Sequence, residues 1–94
     1  MSNRATGKVV RIYAADGLTY IKLDIPPAIP PAADQPIPKD GYFQLDKTHS
    51  NYNALYSLAL VAAVNRYNLQ IRTANEIKST EPAVILYMVV DWPA

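Results

Sequence analysis

Apolar and polar positions alternate with a period of two over residues 7–25. Val10, Ile12 and Ala14 alternate with Arg11 and Tyr13, and Ile21, Leu23 and Ile25 alternate with Tyr20, Lys22 and Asp24. Such alternation puts one apolar face on a core and one polar face in water. The two runs are joined by Asp16-Gly17, a dipeptide that accepts the positive φ angles of a type I′ turn, so the pattern predicts a β-hairpin.

Residues 26–41 contain six of the eight prolines. Proline lacks a backbone donor and is excluded from helix interiors, which predicts an extended loop of polyproline II character. That loop is read as a stiff connector, with a wrapping arm or a ligand for a proline-recognition domain as the other possibility. Residues 42–46 then form a short strand with Phe43 and Leu45 on one side. From Lys47 to Asn68 the spacing predicts one long helix, capped by Thr48 or Ser50 and stopped by Asn68 in a left-handed conformation.

On a helical wheel Tyr52, Tyr56, Leu60, Ala63 and Tyr67 share one sector, and Leu55, Leu58, Ala59 and Ala62 fill the next. A sheet can cover both. The remaining side carries Asn53, Ala54, Ser57, Val61 and Val64, and Arg66 is the only charged residue between Asn51 and Asn68. A helix without a charged face is usually buried on more than one side.

Residues 69–77 alternate Leu69, Ile71 and Thr73 against Gln70 and Arg72, a strand with one wet face. The last run, Ala83 to Val90, is apolar throughout: Val84, Leu86, Met88, Val90 and Trp92 fall on one face, Ile85, Tyr87 and Val89 on the other. The predicted order is strand, strand, loop, strand, helix, strand, strand. It describes an α+β fold: an antiparallel five-stranded OB-like sheet or barrel with one helix packed on it, in a single domain spanning 1–94.

Size and composition sharpen the reading of that apolar surplus. A chain of 94 residues buries only about 60–70% of its unfolded surface, so its stability margin is thin. It has no cysteine and one histidine, which removes disulfides and the usual thiolate and imidazole zinc sites. No metal or cofactor is expected. Of the staples that small folds use, self-association is the one left. The leading expectation is therefore a non-enzymatic homo-oligomeric interaction module, a dimer or a ring, with Ala54, Ser57, Val61, Val64, Tyr87 and Val89 at the contact.

A net charge of +1, from nine basic and eight acidic residues scattered along the chain, gives no basic run for nucleic acid. The longest apolar run is far below the ~20 residues of a membrane-spanning helix. The polar start of the chain does not read as a secretory signal. The expectation is a cytoplasmic protein without nucleic-acid or membrane partners.

The element order and the final EPAVILYMVV strand resemble the cholera-toxin-type B-subunit family over about residues 7–92. That resemblance implies an OB-like barrel and a ring of five with the helices lining its centre. The family is secreted and carries a disulfide, for which this chain has no cysteine. No receptor-binding residue can be transferred position by position.

Two chemical alternatives remain. Tyr52, Tyr56, Tyr67 and Tyr87 fit core or interface positions. Tyr13, Tyr20 and Tyr42 lie on strands, flanked by Arg11 and Lys22, and could form a platform for a small molecule or glycan. The third reading is an enzyme using His49 as an acid–base group with Asp46 as its orienting carboxylate.

Overall fold

In a computed structural model, described here for residues 3–24, 37–78 and 80–91, five strands and one helix form an α+β unit with a mixed sheet. The strands are β1 (Arg4–Ala14), β2 (Leu18–Asp24), β3 (Tyr42–Asp46), β4 (Asn68–Thr73) and β5 (Ala83–Val90). The helix α1 (Tyr52–Asn65) lies between β3 and β4 in the chain. The ladders run in the order β1-β2-β3-β5-β4, and β4 pairs again with β1. The expected all-antiparallel sheet needs correction, because β3 and β5 run parallel through Phe43–Ala83 and Gln44–Val84. A helix intervenes between β3 and β4, and crossovers of that length permit parallel neighbours.

Strands β2 to β5 supply the buried apolar side chains of the sheet. Ile21, Leu23, Phe43, Leu45, Leu69, Ile71, Ile85 and Met88 are buried, and Leu55, Ala59 and Ala62 of α1 close over them. Thr19 is the buried polar residue of β2, and its hydroxyl lies 2.6 Å from the phenol oxygen of Tyr52 at the start of α1.

Strand β1 serves two neighbours. Arg4 to Lys8 pair with β4, and Lys8 to Ala14 pair with β2. At this handover the backbones crowd: a Cβ on Gly7 would sit 2.3 Å from the Asp24 carbonyl oxygen. Only glycine allows that approach. Just beyond, a bulge between Val9 and Arg11 puts an extra residue into the strand, turning Val10 outward at 57% exposure. The expectation that Val10 shares the face of Ile12 fails for that reason, since a bulge flips the phase of alternation.

The hairpin turn also differs from the expected type I′. That type needs positive φ at both central residues; Gly17 has φ 85° and Asp16 is not in that region. In the helix, neither Thr48 nor Ser50 caps the N-terminus: Asn51 occupies that position, without a side-chain hydrogen bond. The left-handed stop is Arg66 (φ 58°, ψ 36°), with the Tyr67 N–H bonded to Ala62 O, and Asn68 opens β4 instead. Leu60, expected under the sheet, is 40% exposed.

The strict two-face alternation expected for the last strand is also corrected. Between Arg72 and Thr73 the β4–β5 register shifts, Arg72 facing Tyr87 and Thr73 facing Ile85. Leu86 is the unpaired extra residue, so Ile85 and Met88 both point inward while Leu86, Tyr87 and Val89 are exposed. Trp92 and the proline-rich stretch up to residue 36 lie outside the described residues.

Candidate functional site

The outer face of β1, β2 and β3 gathers the strand tyrosines and their flanking cations. Register sets this arrangement: Tyr13 is the partner of Tyr20, Arg11 of Lys22, and Lys22 of Tyr42. Because side chains alternate along a strand, all five project from the side opposite Ile12, Ile21 and Phe43. The bulge at Val10 brings Arg11 into this phase.

The rings form an edge-to-face array. Tyr13 and Tyr20 have centroids 6.2 Å apart with an interplanar angle of 70°, and Tyr20 and Tyr42 are 5.9 Å apart at 67°. Such geometry sets a ring's positive edge on its neighbour's negative face. Tyr42 also organises the cations. Arg11 Nη1 donates to the Tyr42 hydroxyl at 3.0 Å, and Lys22 Nζ stands 5.7 Å from the centre of its ring. Cation–π attraction of this kind is worth about 0.5–1 kcal/mol at exposed sites.

Beside the array lies a cavity of about 470 Å³, within the range of small-molecule sites. The three tyrosines form one wall, and Asp16, Lys39 and Asp40 form part of the rest. Asp16 comes from the hairpin turn. Lys39 and Asp40 belong to a 3-10 turn, Lys39–Gly41, anchored by the bond from Lys39 N–H to Glu81 O at 3.0 Å. Asp40 takes φ 57° and Gly41 φ 78°, a left-handed pair that side chains other than Asn and Asp resist. The sequence pattern does not mark Asp16, Lys39 and Asp40 as site residues; their only signal is the turn-forming Asp-Gly pair, which occurs twice.

His49 stands apart from this face. Its Nδ1 accepts from the Asn51 N–H at 3.0 Å, and its Nε2 lies 3.0 Å from Leu86 O. These partners fix the tautomer: an N–H donates into Nδ1, so the ring proton is on Nε2 and points at the carbonyl. Asp46 is occupied elsewhere, its Oδ1 accepting from Gln44 Nε2 at 2.8 Å. Both ring nitrogens of His49 thus engage backbone groups, and the Asp46 carboxylate is not what orients the ring.

The residues expected at a self-association surface are exposed. Ala54, Ser57, Val61 and Val64 lie on the outward side of α1, with Val64 81% exposed, and Tyr87 and Val89 project from β5. Among the described residues no helix is long and apolar enough to cross a membrane. Comparison of the chain with family models, with characterised proteins and with solved structures gave no match.

Proposed function

We propose that the chain is an OB-like binding module that takes a saccharide on the outer face of β1, β2 and β3. The strand order with the helix between β3 and β4 supports the OB-like reading, a class whose strand 2–3 face and β1–β2 and β4–β5 loops receive oligosaccharides and oligonucleotides. Both loops border the cavity, through Ala15 and Asp16 on one side and Pro82 on the other.

The observation that carries the choice of ligand is the pairing of three phenol rings with two carboxylates around one cavity. Ring faces take the C–H side of a pyranose, and the carboxylates of Asp16 and Asp40 accept from hydroxyl groups, charge-assisted hydrogen bonds being the strong ones. The same carboxylates would repel a phosphate backbone. Arg11 and Lys22, held at the Tyr42 end, favour a sugar bearing an acidic substituent there.

A glycan array followed by titration calorimetry tests this reading, comparing the native chain with Tyr13→Ala/Tyr20→Ala. Saturable binding lost in the double variant, with an unchanged fold by amide NMR, is the expected result. Binding unaffected by the pair, or no saccharide bound at all, would overturn it.

A second reading is supported by the charge-free outward side of α1. Val64, Val61 and Leu60 leave an exposed apolar strip there, and β5 adds Leu86, Tyr87 and Val89. Large contiguous exposed apolar patches on soluble proteins mark interaction sites. Homo-oligomerisation through α1 and β5 is compatible with the ligand face, since the two use different strands' side chains. A two-fold dimer has the higher base rate among soluble homo-oligomers.

A further inference from the structure

The cavity beside the tyrosines has a charge of its own. Its wall carries the carboxylates of Asp16 and Asp40 against a single ammonium, that of Lys39, which leaves it net acidic. Arg11 and Lys22 engage Tyr42 but do not line the cavity. Among the described residues neither carboxylate has an ion-pair or hydrogen-bond partner. Both are therefore open to a ligand.

Asp40 sits on a backbone that is firmly held. Pro38, two residues before it, is fully buried. Gly41 N–H donates to Pro38 O at 2.8 Å, and Lys39 N–H to Glu81 O at 3.0 Å. Between these anchors Asp40 takes φ 57° and ψ 13°, a left-handed conformation that costs any residue with a side chain. Backbone strain of this kind collects at ligand sites. Here it brings a carboxylate to the cavity wall.

The rings suit the same ligand charge. Phenol faces attract cations, and the Tyr42 ring already draws Lys22 Nζ to 5.7 Å from its centre. An ammonium brings three N–H donors, and its bonds to a carboxylate are charge-assisted, whereas a sugar hydroxyl donates one neutral bond. We propose that the cavity seats an alkylammonium group, so that the saccharide taken by this face is an amino sugar. The carrier rests on the saccharide reading above; the preference for positive charge rests on the cavity wall. An acidic substituent at Arg11 and Lys22 is compatible with it, because those cations stand outside the lining. Exposed ion pairs are individually weak, so the charge sets a several-fold selectivity.

Titration of the full chain at low ionic strength with glucosamine, N-acetylglucosamine, glucose and methylammonium, followed by amide NMR, tests the proposal. The pH is kept low enough to protonate the amine. Glucosamine should bind at least about fivefold more tightly than glucose or N-acetylglucosamine, with shifts at Tyr13, Asp16, Tyr20 and Asp40, and added salt should shrink that preference. Asp40→Asn retains a residue type that accepts the left-handed backbone, and Asp16→Asn retains the turn. Each should at least halve the preference while leaving glucose affinity and the rest of the spectrum unchanged, with mass spectrometry confirming that the new amides are intact. Methylammonium shifting these amides when no sugar does would support the ammonium seat and overturn the saccharide reading. Glucose or N-acetylglucosamine binding as tightly as glucosamine would overturn the ammonium seat and leave the saccharide reading standing. A preference that survives in Asp16→Asn/Asp40→Asn would also overturn it, and no shift with any of the four probes would overturn both.

Discussion

The ring of His49 holds the carbonyl of Leu86, with Nε2 3.0 Å from the oxygen. Leu86 is the extra residue of the β5 bulge, and an extra residue lacks a ladder partner. A carbonyl left without one would seek water or a side chain. The residues just before α1 provide the side chain, and the Asn51 N–H fixes its tautomer. One histidine thus ties the entry of the helix to the irregular point of the last strand.

Replacing His49 with alanine removes both bonds. A hydrogen bond of this kind contributes about 0.5–1.5 kcal/mol net, so His49→Ala should lower stability by about 1–2 kcal/mol. Urea unfolding gives the shift in midpoint, and amide exchange should speed up first around Leu86 and Asn51. If activity toward any ligand fell instead while stability held, the structural role assigned to His49 would be wrong.

Gly7 offers a sharper test of the β1 handover. The Cβ of an alanine there would meet the Asp24 carbonyl oxygen at 2.3 Å and its carbon at 3.0 Å. Both atoms are backbone, so relief requires a strand to move. Overpacking of this kind costs about 1–3 kcal/mol and occasionally more. Gly7→Ala should therefore lower stability by about 1–3 kcal/mol or more, read from thermal unfolding, whereas Gly17→Ala meets no neighbouring atom within 4 Å and suffers only from its φ of 85°. Equal losses at the two positions would contradict the close approach.

Much of the sheet was legible because strands write themselves with a period of two. Ile21, Leu23, Phe43, Leu45, Leu69 and Ile71 are inward as their alternation predicts, and the five elements of the site lie on the outward phase for the same reason. The two errors of strand phase, in β1 and in β5, share one cause. Bulges at Val10 and Leu86 depend on how one strand meets two others, which no single segment encodes, and each inverts the alternation beyond it. The parallel β3–β5 ladder is likewise set by the crossover through α1. Asp40 entered the cavity wall through a left-handed turn after a proline-rich stretch, where periodicity carries no information. Arg4 and Arg72 are 68 positions apart, so their pairing is visible only once β4 closes onto β1.

Tyr42→Phe separates the two ways in which Tyr42 holds cations. The ring remains for Lys22, but the acceptor for Arg11 is lost. An exposed hydrogen bond of this type contributes little to folding, so stability should change by less than about 1 kcal/mol. Affinity for an acidic saccharide should fall roughly three- to tenfold, while a neutral saccharide of the same ring should be almost unaffected, because a tenfold change corresponds to about 1.4 kcal/mol. Calorimetry with the two sugars reads the difference. An equal loss for both would mean that Arg11 does not meet the acidic group.

The outward side of α1 is the last surface to test. Val64 is 81% exposed and Val61 42% exposed, so a lysine at either site can carry its ammonium into solvent in a single chain. Surface substitutions of that kind usually change stability by less than about 0.5 kcal/mol. If two or more chains meet there, Val61→Lys or Val64→Lys places an ammonium in an apolar contact, and burying an unpaired charge costs far more than the contact returns. Light scattering should then report an assembly for the native chain and a 10.4 kDa monomer for the variants, with circular dichroism unchanged. A native chain that is already monomeric at high concentration would leave the apolar strip without a self-association role. A variant that keeps the full assembly would move the contact to β5, where Tyr87→Lys and Val89→Lys become the next substitutions to read.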